Sequence, residues 1–302
     1  MGLGPVARAL LMEGARSFFV AQVEEGVALR KILGAGPEIF VFSGLMAPTD
    51  APKYRYHTLI PCLNSVAQAH DFVDNLDGLP FALQYDSGMN RLGLEASDLA
   101  QLPALGQPSL IMSHLACADE PAHPQNASQL AAFRAMAPEG RRSLAATGGI
   151  LLGPDFQFEM TRPGIGLYGG APFTASRPVV TLSLPVIQVR DVAVGETVGY
   201  GATWVAQRPS RIATVSAGYA DGLIRAMGGG ATLWSDDTPC PLAGRVSMDL
   251  ITVDVTDLGH DPESLDILGP QQGVDALADA AGTIGYEILT SLSTRYERRY
   301  VG

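Results

Sequence analysis

In the stretch SAGYADGLIR (216–225), Tyr219 stands at a strand end, and the Ala-Asp-Gly that follows makes a tight turn presenting its phenol. A phenol releases its proton at about pH 10, so Tyr219 is a base near neutrality only if a neighbouring cation lowers that value. Spacing alone favours a packing role in a hairpin. Cys62, Cys117 and Cys240 are odd in number, widely spaced and without CxxC pairs. That pattern predicts neither a disulfide framework nor a metal site, and it suits a reducing cytoplasm.

Several elements must carry such residues. From Met1 to about Ala171, short apolar runs at 18–22, 38–45, 57–65, 80–88, 110–116, 143–147 and 161–169 alternate with amphipathic stretches such as 5–13, 66–75 and 126–136. Strands separated by helices predict βα units and a parallel sheet. These are seven strands, and a turn-plus-helix, Gly2-Leu3-Gly4 running into Pro5, precedes the first. The expectation is an α/β fold, a (β/α)8-type barrel lacking its first strand, over 1–171. A seven-stranded open sheet is the alternative. Past Ala171-Pro172-Phe173 the texture turns to strands and tight turns, with helical patterns only at 274–280 and 286–292. This predicts a mainly β second domain over 172–302.

Net charge −11 argues against nucleic acid or anionic membrane as partners, because phosphate binding needs a basic face. Hydrophobic content of 47% with 17% charged residues reads as globular. The sequence shows no basic-then-apolar leader and no apolar run of the roughly 20 residues that a bilayer span needs. A cytoplasmic protein is expected.

GYADGLIR resembles the signature of the alanine racemase family that carries its catalytic tyrosine. DSGMNRLGL (86–94), SHLACADE (113–120), RPGIGLYG (162–169), GRVSMD (244–249) and GTIGYEILTSLSTRYERRY (282–300) follow the family's order and spacing, so the likeness covers nearly the whole chain. The resemblance implies a barrel plus β-domain, a head-to-tail homodimer, bound pyridoxal 5'-phosphate, and interconversion of L- and D-alanine for cell-wall synthesis. In that chemistry the cofactor spreads the charge left when the α-hydrogen departs. Two acid/base groups then face each other across the α-carbon.

By the same resemblance Tyr219 is the catalytic tyrosine, serving the partner's site. Arg162 meets the pyridine nitrogen; a guanidinium only donates, so that nitrogen stays unprotonated. Without its motif, Arg162 reads as a strand-end cap paired with a surface carboxylate. Thr147 (a serine in the family), Gly164, Ile165 and Tyr286 fall at the phosphate, and His114 against the ring. Ala146 departs from the family's asparagine. Arg91, Met248 and Asp249 fall on the substrate side, with Gln84 where many members hold that arginine by a modified lysine; a neutral amide there orients Arg91 by hydrogen bonding. Asp119 and Arg245 match charged residues of the substrate's access corridor, or else make a plain surface ion pair.

The family's first strand ends in a lysine that holds the cofactor as a Schiff base. Aligned on Gly2-Leu3-Gly4, that lysine falls about four positions ahead of Met1. The chain has two lysines, Lys31 in a helical ALRKIL and Lys53 after Pro52, and neither ends a strand. The sequence predicts an N-terminally truncated racemase, poorly soluble and inactive as written. A racemase of another small amino acid such as serine, or a catalytically dead scaffold donating Tyr219 to an intact partner, are the alternatives. A decarboxylase of the same architecture would carry a carboxylate where Arg162 stands.

Overall fold

Residues of the first five of six short strands divide between two different cores, and that division builds the first half of the molecule. The computed structural model describes residues 1–301. Two compact units result, Gly2–Pro163 and the chain from Gly164 onward together with Met1. The sequence places the join later, at 171–173.

In the first unit the strands β1 (Ser17–Val20), β2 (Glu38–Val41), β3 (Ile60–Leu63), β4 (Ala82–Gln84), β5 (Leu110–Met112) and β6 (Arg142–Ser143) form one sheet in sequential order. Every pairing is parallel. The helices are α1 (Leu3–Met12), α2 (Val23–Leu33), α3 (Ala51–His57), α4 (Val66–Leu76), α5 (Pro124–Met136) and the short α6 (Thr147–Leu151) and α7 (Pro154–Gln157). Phe18, Val20, Ile39, Val41, Leu63, Leu83 and Ile111 pack in the core that also holds helical residues such as Leu29, Phe72 and Phe133. Phe40, Ile60, Cys62, Ala82, Leu110 and Met112 fill a second core with Phe19, Phe42 and Met160. Phe19 stacks on Phe40 with ring centroids 4.8 Å apart and on Phe42 at 5.3 Å. One core per face is the arrangement of a barrel-type sheet, filled inside and covered by helices outside.

The sheet curls far enough for side chains at its two ends to join, although β1 and β6 do not pair. Arg141, just ahead of β6, donates two 2.8 Å bonds to the Glu38 carboxylate and one of 3.0 Å to Ser17 Oγ. This clasp joins the N-terminal ends of strands that are otherwise four and five places apart in the sheet order.

Two expectations need correction. The seventh run, 161–169, is no full strand: Arg162 makes a single parallel bridge to Ala146, and Ile165–Tyr168 winds into a 3-10 turn. The glycines of RPGIGLYG let the chain leave the sheet there, Gly169 being left-handed at φ 85°. The opening Gly-Leu-Gly is likewise not a separate turn. Gly2 is the N-cap, and Leu3 and Gly4 already belong to α1.

The second unit holds β7 (Leu182–Val192), the small pair β8 (Thr197–Val198) and β9 (Trp204–Val205), then β10 (Ser210–Val215), β11 (Thr232–Ser235), β12 (Thr238–Pro241), β13 (Ile251–Asp254) and β14 (Ser264–Leu268). Six of these make an antiparallel sheet in the order β12-β11-β14-β7-β10-β13. Two helices, α8 (Val274–Ala281) and α9 (Gly285–Ser291), pack Leu277, Ile288 and Leu289 into its core. Among the described residues no helix is long and apolar enough to cross a membrane, and the three cysteines are free.

Candidate active site

In the first unit the predicted residues gather past the C-terminal ends of the strands. Arg162 is buried, and its described partners are uncharged. Nη1 donates to the Ser143 carbonyl at 2.9 Å and to Ser143 Oγ, and Nη2 donates to the Ser113 carbonyl at 2.6 Å. Its backbone N–H bonds Ala145 O at 2.9 Å, and its guanidinium sits 6.0 Å from the Phe19 ring centre. Burial draws its pKa down to about 10, opposed by the Cys62 thiol. The surface-carboxylate reading of Arg162 is thereby excluded. Cys62 itself is pushed up to about 12 by burial, so its thiol is no nucleophile.

His114 follows β5, with Nδ1 3.5 Å from Arg162 Nη2. Burial, then the charges of Arg162 and Arg91, bring its pKa down to about 4, and the imidazole is neutral at pH 7. Thr147 is buried at the first position of α6, with Ala146 as N-cap. The N–H groups of Gly148 and Gly149 lie in the first turn of this helix, where no carbonyl within the helix is available to them. The Asp119 carboxylate lies against this turn: a Cβ on Gly148 would come within 2.6 Å of its Oδ1. Burial raises the Asp119 pKa.

Arg91 lies exposed on the loop 86–94 after β4. Asp86 shapes that loop, its carboxylate accepting N–H bonds from Gly88 and Met89 at 2.8 Å and from Arg91 at 3.2 Å. Burial opposes ionisation of Asp86, yet these amide bonds outweigh it and its pKa falls. Gln84 does not orient Arg91 as expected. No hydrogen bond joins them among the described residues, and the Gln84 amide donates to the Tyr85 carbonyl at 3.4 Å.

In the second unit two loops are laced together. Tyr219 opens a 3-10 turn, Tyr219–Asp221, capped by an Asp221 carboxylate bond from Gly218 N at 2.9 Å. Tyr219 N donates to Ser247 O at 3.0 Å and Ala220 N to Met248 O at 2.9 Å, so the tyrosine turn rides on the Met248–Asp249 loop. Tyr219, Met248 and Asp249 are all exposed. Arg295 ties the two loops, pairing with Asp249 at 2.6 Å and with the buried Asp221 at 3.3 Å. Arg245 lies against Gly201, where a Cβ would sit 3.4 Å from its Nη1. Gly164 caps the 3-10 turn begun by Ile165, whose side chain is buried in the β-unit core, and Tyr286 stands on the first turn of α9.

Ser113, Ser143, Gln129 and Arg295 are contributors that the sequence reading missed. Arg295 lies inside the tail STRYERRY, whose charge density was the available signal. Gln129 is a glutamine on the buried face of α5.

The family model described as "Alanine racemase, N-terminal domain" matches residues 1–172, and "Alanine racemase, C-terminal domain" matches 179–300. The alanine racemase of Jannaschia sp. (strain CCS1) is 60% identical over 301 residues, covering 99% of this chain and 88% of that protein. The crystal structure of alanine racemase from Bartonella henselae with covalently bound pyridoxal phosphate superposes with a TM-score of 0.92 at 36% identity, over 99% of this chain and 89% of that one. The biosynthetic alanine racemase from Pseudomonas aeruginosa gives 0.90 at 34%, over 100% and 89%. A parallel barrel-type unit, an antiparallel β-unit and both family matches in this order establish that the chain belongs to the alanine racemase family.

Proposed function

We propose that this chain carries the pyridoxal-phosphate and amino-acid machinery of an alanine racemase, acting on L- and D-alanine in the cytoplasm as a head-to-tail homodimer. Arg162 carries the reading. A buried guanidinium with uncharged partners, beside a neutral imidazole, suits an aromatic nitrogen that is to be given a hydrogen bond and no proton. Thr147 and the amides after it suit a phosphate, and the family's motif adds Gly164, Ile165 and Tyr286 to that group. When bound, the cofactor supplies an electron sink that makes the amino-acid α-hydrogen acidic.

Within this assignment residues 1–171 bind the cofactor and 172–302 contribute to the partner's site. Tyr219 Oη exchanges a proton with the substrate α-carbon, and Arg91, Met248 and Asp249 hold the carboxylate side of the substrate. Asp119 and Arg245 line its path. Serine remains the alternative substrate, since one hydroxyl changes selectivity by only about 1–3 kcal/mol in such a pocket.

Neither lysine of the chain suits the cofactor's covalent bond. Lys31 is exposed on α2, and Lys53 pairs with Glu24 and Asp50, each at 2.8 Å. These residues therefore suit the ring and phosphate of the cofactor, and neither Lys31 nor Lys53 is placed at that group. The test is complementation in a mixed dimer. A full-length relative that keeps its lysine but has its catalytic tyrosine changed to phenylalanine is mixed with this chain. D-alanine formation from L-alanine is expected, and none with the Tyr219→Phe chain. Equal activity with that variant removes Tyr219 from its role.

A further inference from the structure

Gln129 is fully buried on α5, yet every polar atom of its side chain is engaged away from the helix. Its Nε2 donates to the His114 carbonyl at 2.9 Å and to Ser87 Oγ at 3.4 Å, while its Oε1 accepts from Ala116 N at 2.8 Å. Ser87 Oγ in turn lies 2.8 Å from Ser113 Oγ. One amide thus reaches two loops from different strands: 86–94 after β4, which carries Arg91, and 113–120 after β5, which carries His114. The Ser113 carbonyl then passes the connection to Arg162. A buried primary amide with both ends matched holds its partners rigidly, because breaking either bond strands a polar group away from water. Hydrophobic packing alone would not require an amide at this position.

We propose that Gln129 is a positioning residue that locks the Arg91 loop and the His114 loop into a single unit, so that neither arm of the site moves without the other. The roles of Arg91 and His114 rest on the alanine racemase reading; the coupling of the loops does not.

Hydrogen–deuterium exchange on the full chain, read by mass spectrometry, separates the two. Gln129→Ala is expected to raise exchange in both 86–94 and 113–120 by about tenfold or more while β2 and β3 stay protected. Gln129→Glu keeps the acceptor for Ala116 N and loses the donors. It is expected to free the Ser87 side and the His114 carbonyl while Ala116 remains protected. Ser87→Ala is expected to loosen 86–94 alone. Should Gln129→Ala fail to fold, the other two variants decide. A rise confined to 113–120 in Gln129→Glu, or a uniform rise across the sheet, overturns the coupling. Titration with pyridoxal phosphate alone, followed by its absorbance, is the second readout: Gln129→Glu is expected to weaken binding about tenfold and Gln129→Asn, a shorter amide, less. No binding by the unmodified chain counts against the racemase reading, and the exchange results still decide the coupling.

Discussion

Arg162 and His114 face each other with Nη2 and Nδ1 3.5 Å apart, a permanent cation beside a ring that would otherwise take a proton near neutrality. Both groups are largely withdrawn from water, and the guanidinium keeps its charge because carbonyl and hydroxyl oxygens surround it. The imidazole gives up its own. This division of charge is the main electrostatic fact of the barrel unit.

It has a pH consequence. His114 titrates at about 4 in the folded chain and at about 6.5 when unfolded, so between these values the unfolded state binds more protons. Its contribution to stability is complete above about pH 6.5 and is lost as pH falls toward 4. The full effect is on the order of 3 kcal/mol, reduced by whatever solvent reaches the partly exposed ring. Urea unfolding of the wild type and His114→Gln at pH 7 and pH 4.5 measures it, and the gap between them is expected to narrow or reverse at the lower pH. A gap independent of pH would refute the assignment.

Arg162→Lys is expected to destabilise the chain by about 2–4 kcal/mol. An ammonium reaches only one of the two serine sites; the Ser143 carbonyl keeps the Ser113 N–H at 3.0 Å, but a Ser113 carbonyl that loses Nη2 is left buried without a described donor. Denaturant midpoints at constant slope give the value, and a loss below about 0.5 kcal/mol would mean that the fork is not what holds β5 and β6 together.

Gly218→Ala tests the lacing of the tyrosine turn. A Cβ there would meet Met248 O at 2.3 Å and Ser247 O at 2.4 Å, although φ is an ordinary extended −159°. The obstacle is space, not backbone strain. Separation of the loops is expected, with loss of protection at the Tyr219 and Ala220 amides and about 2–3 kcal/mol of stability. Retained protection there would show that the backbone shifts without cost.

Arg295→Ala is expected to behave differently. Its Asp249 pair is exposed on both sides, and its contact with the buried Asp221 is a longer one of 3.3 Å from a guanidinium that stays in water, so the stability change stays under about 1 kcal/mol. Exchange at 219–220 and 247–249 is expected to rise several-fold, since Asp221 and Asp249 lose the cation between them. The wild type in about 1 M salt should move the same way. Exchange unchanged in both conditions would leave Arg295 a surface residue.

Much of the barrel unit is legible in the sequence, because a buried parallel strand is a short apolar run and the helices between such runs are amphipathic. The run 161–169 misleads for a physical reason: Ile165 is apolar because it enters the β-unit core, not because it lies in the sheet. The motifs locate Arg162, His114 and Tyr219. What Gln84 does was not readable, since a side-chain amide takes whichever acceptor the fold brings nearest, here the Tyr85 carbonyl. Gln129 and Arg295 act through contacts with residues far along the chain, and no local pattern announces those. Ser143 and Ser113 serve Arg162 chiefly through backbone carbonyls, which every residue possesses.

The clasp of Arg141 on Glu38 and Ser17 spans 103 and 124 positions of sequence. During synthesis Glu38 therefore emerges long before Arg141 exists, although β1 and β2 can already pair with each other and Ser17 can already donate to Glu38. The clasp is accordingly a late event in the birth of this chain, one that a ribosome pausing before residue 141 would postpone.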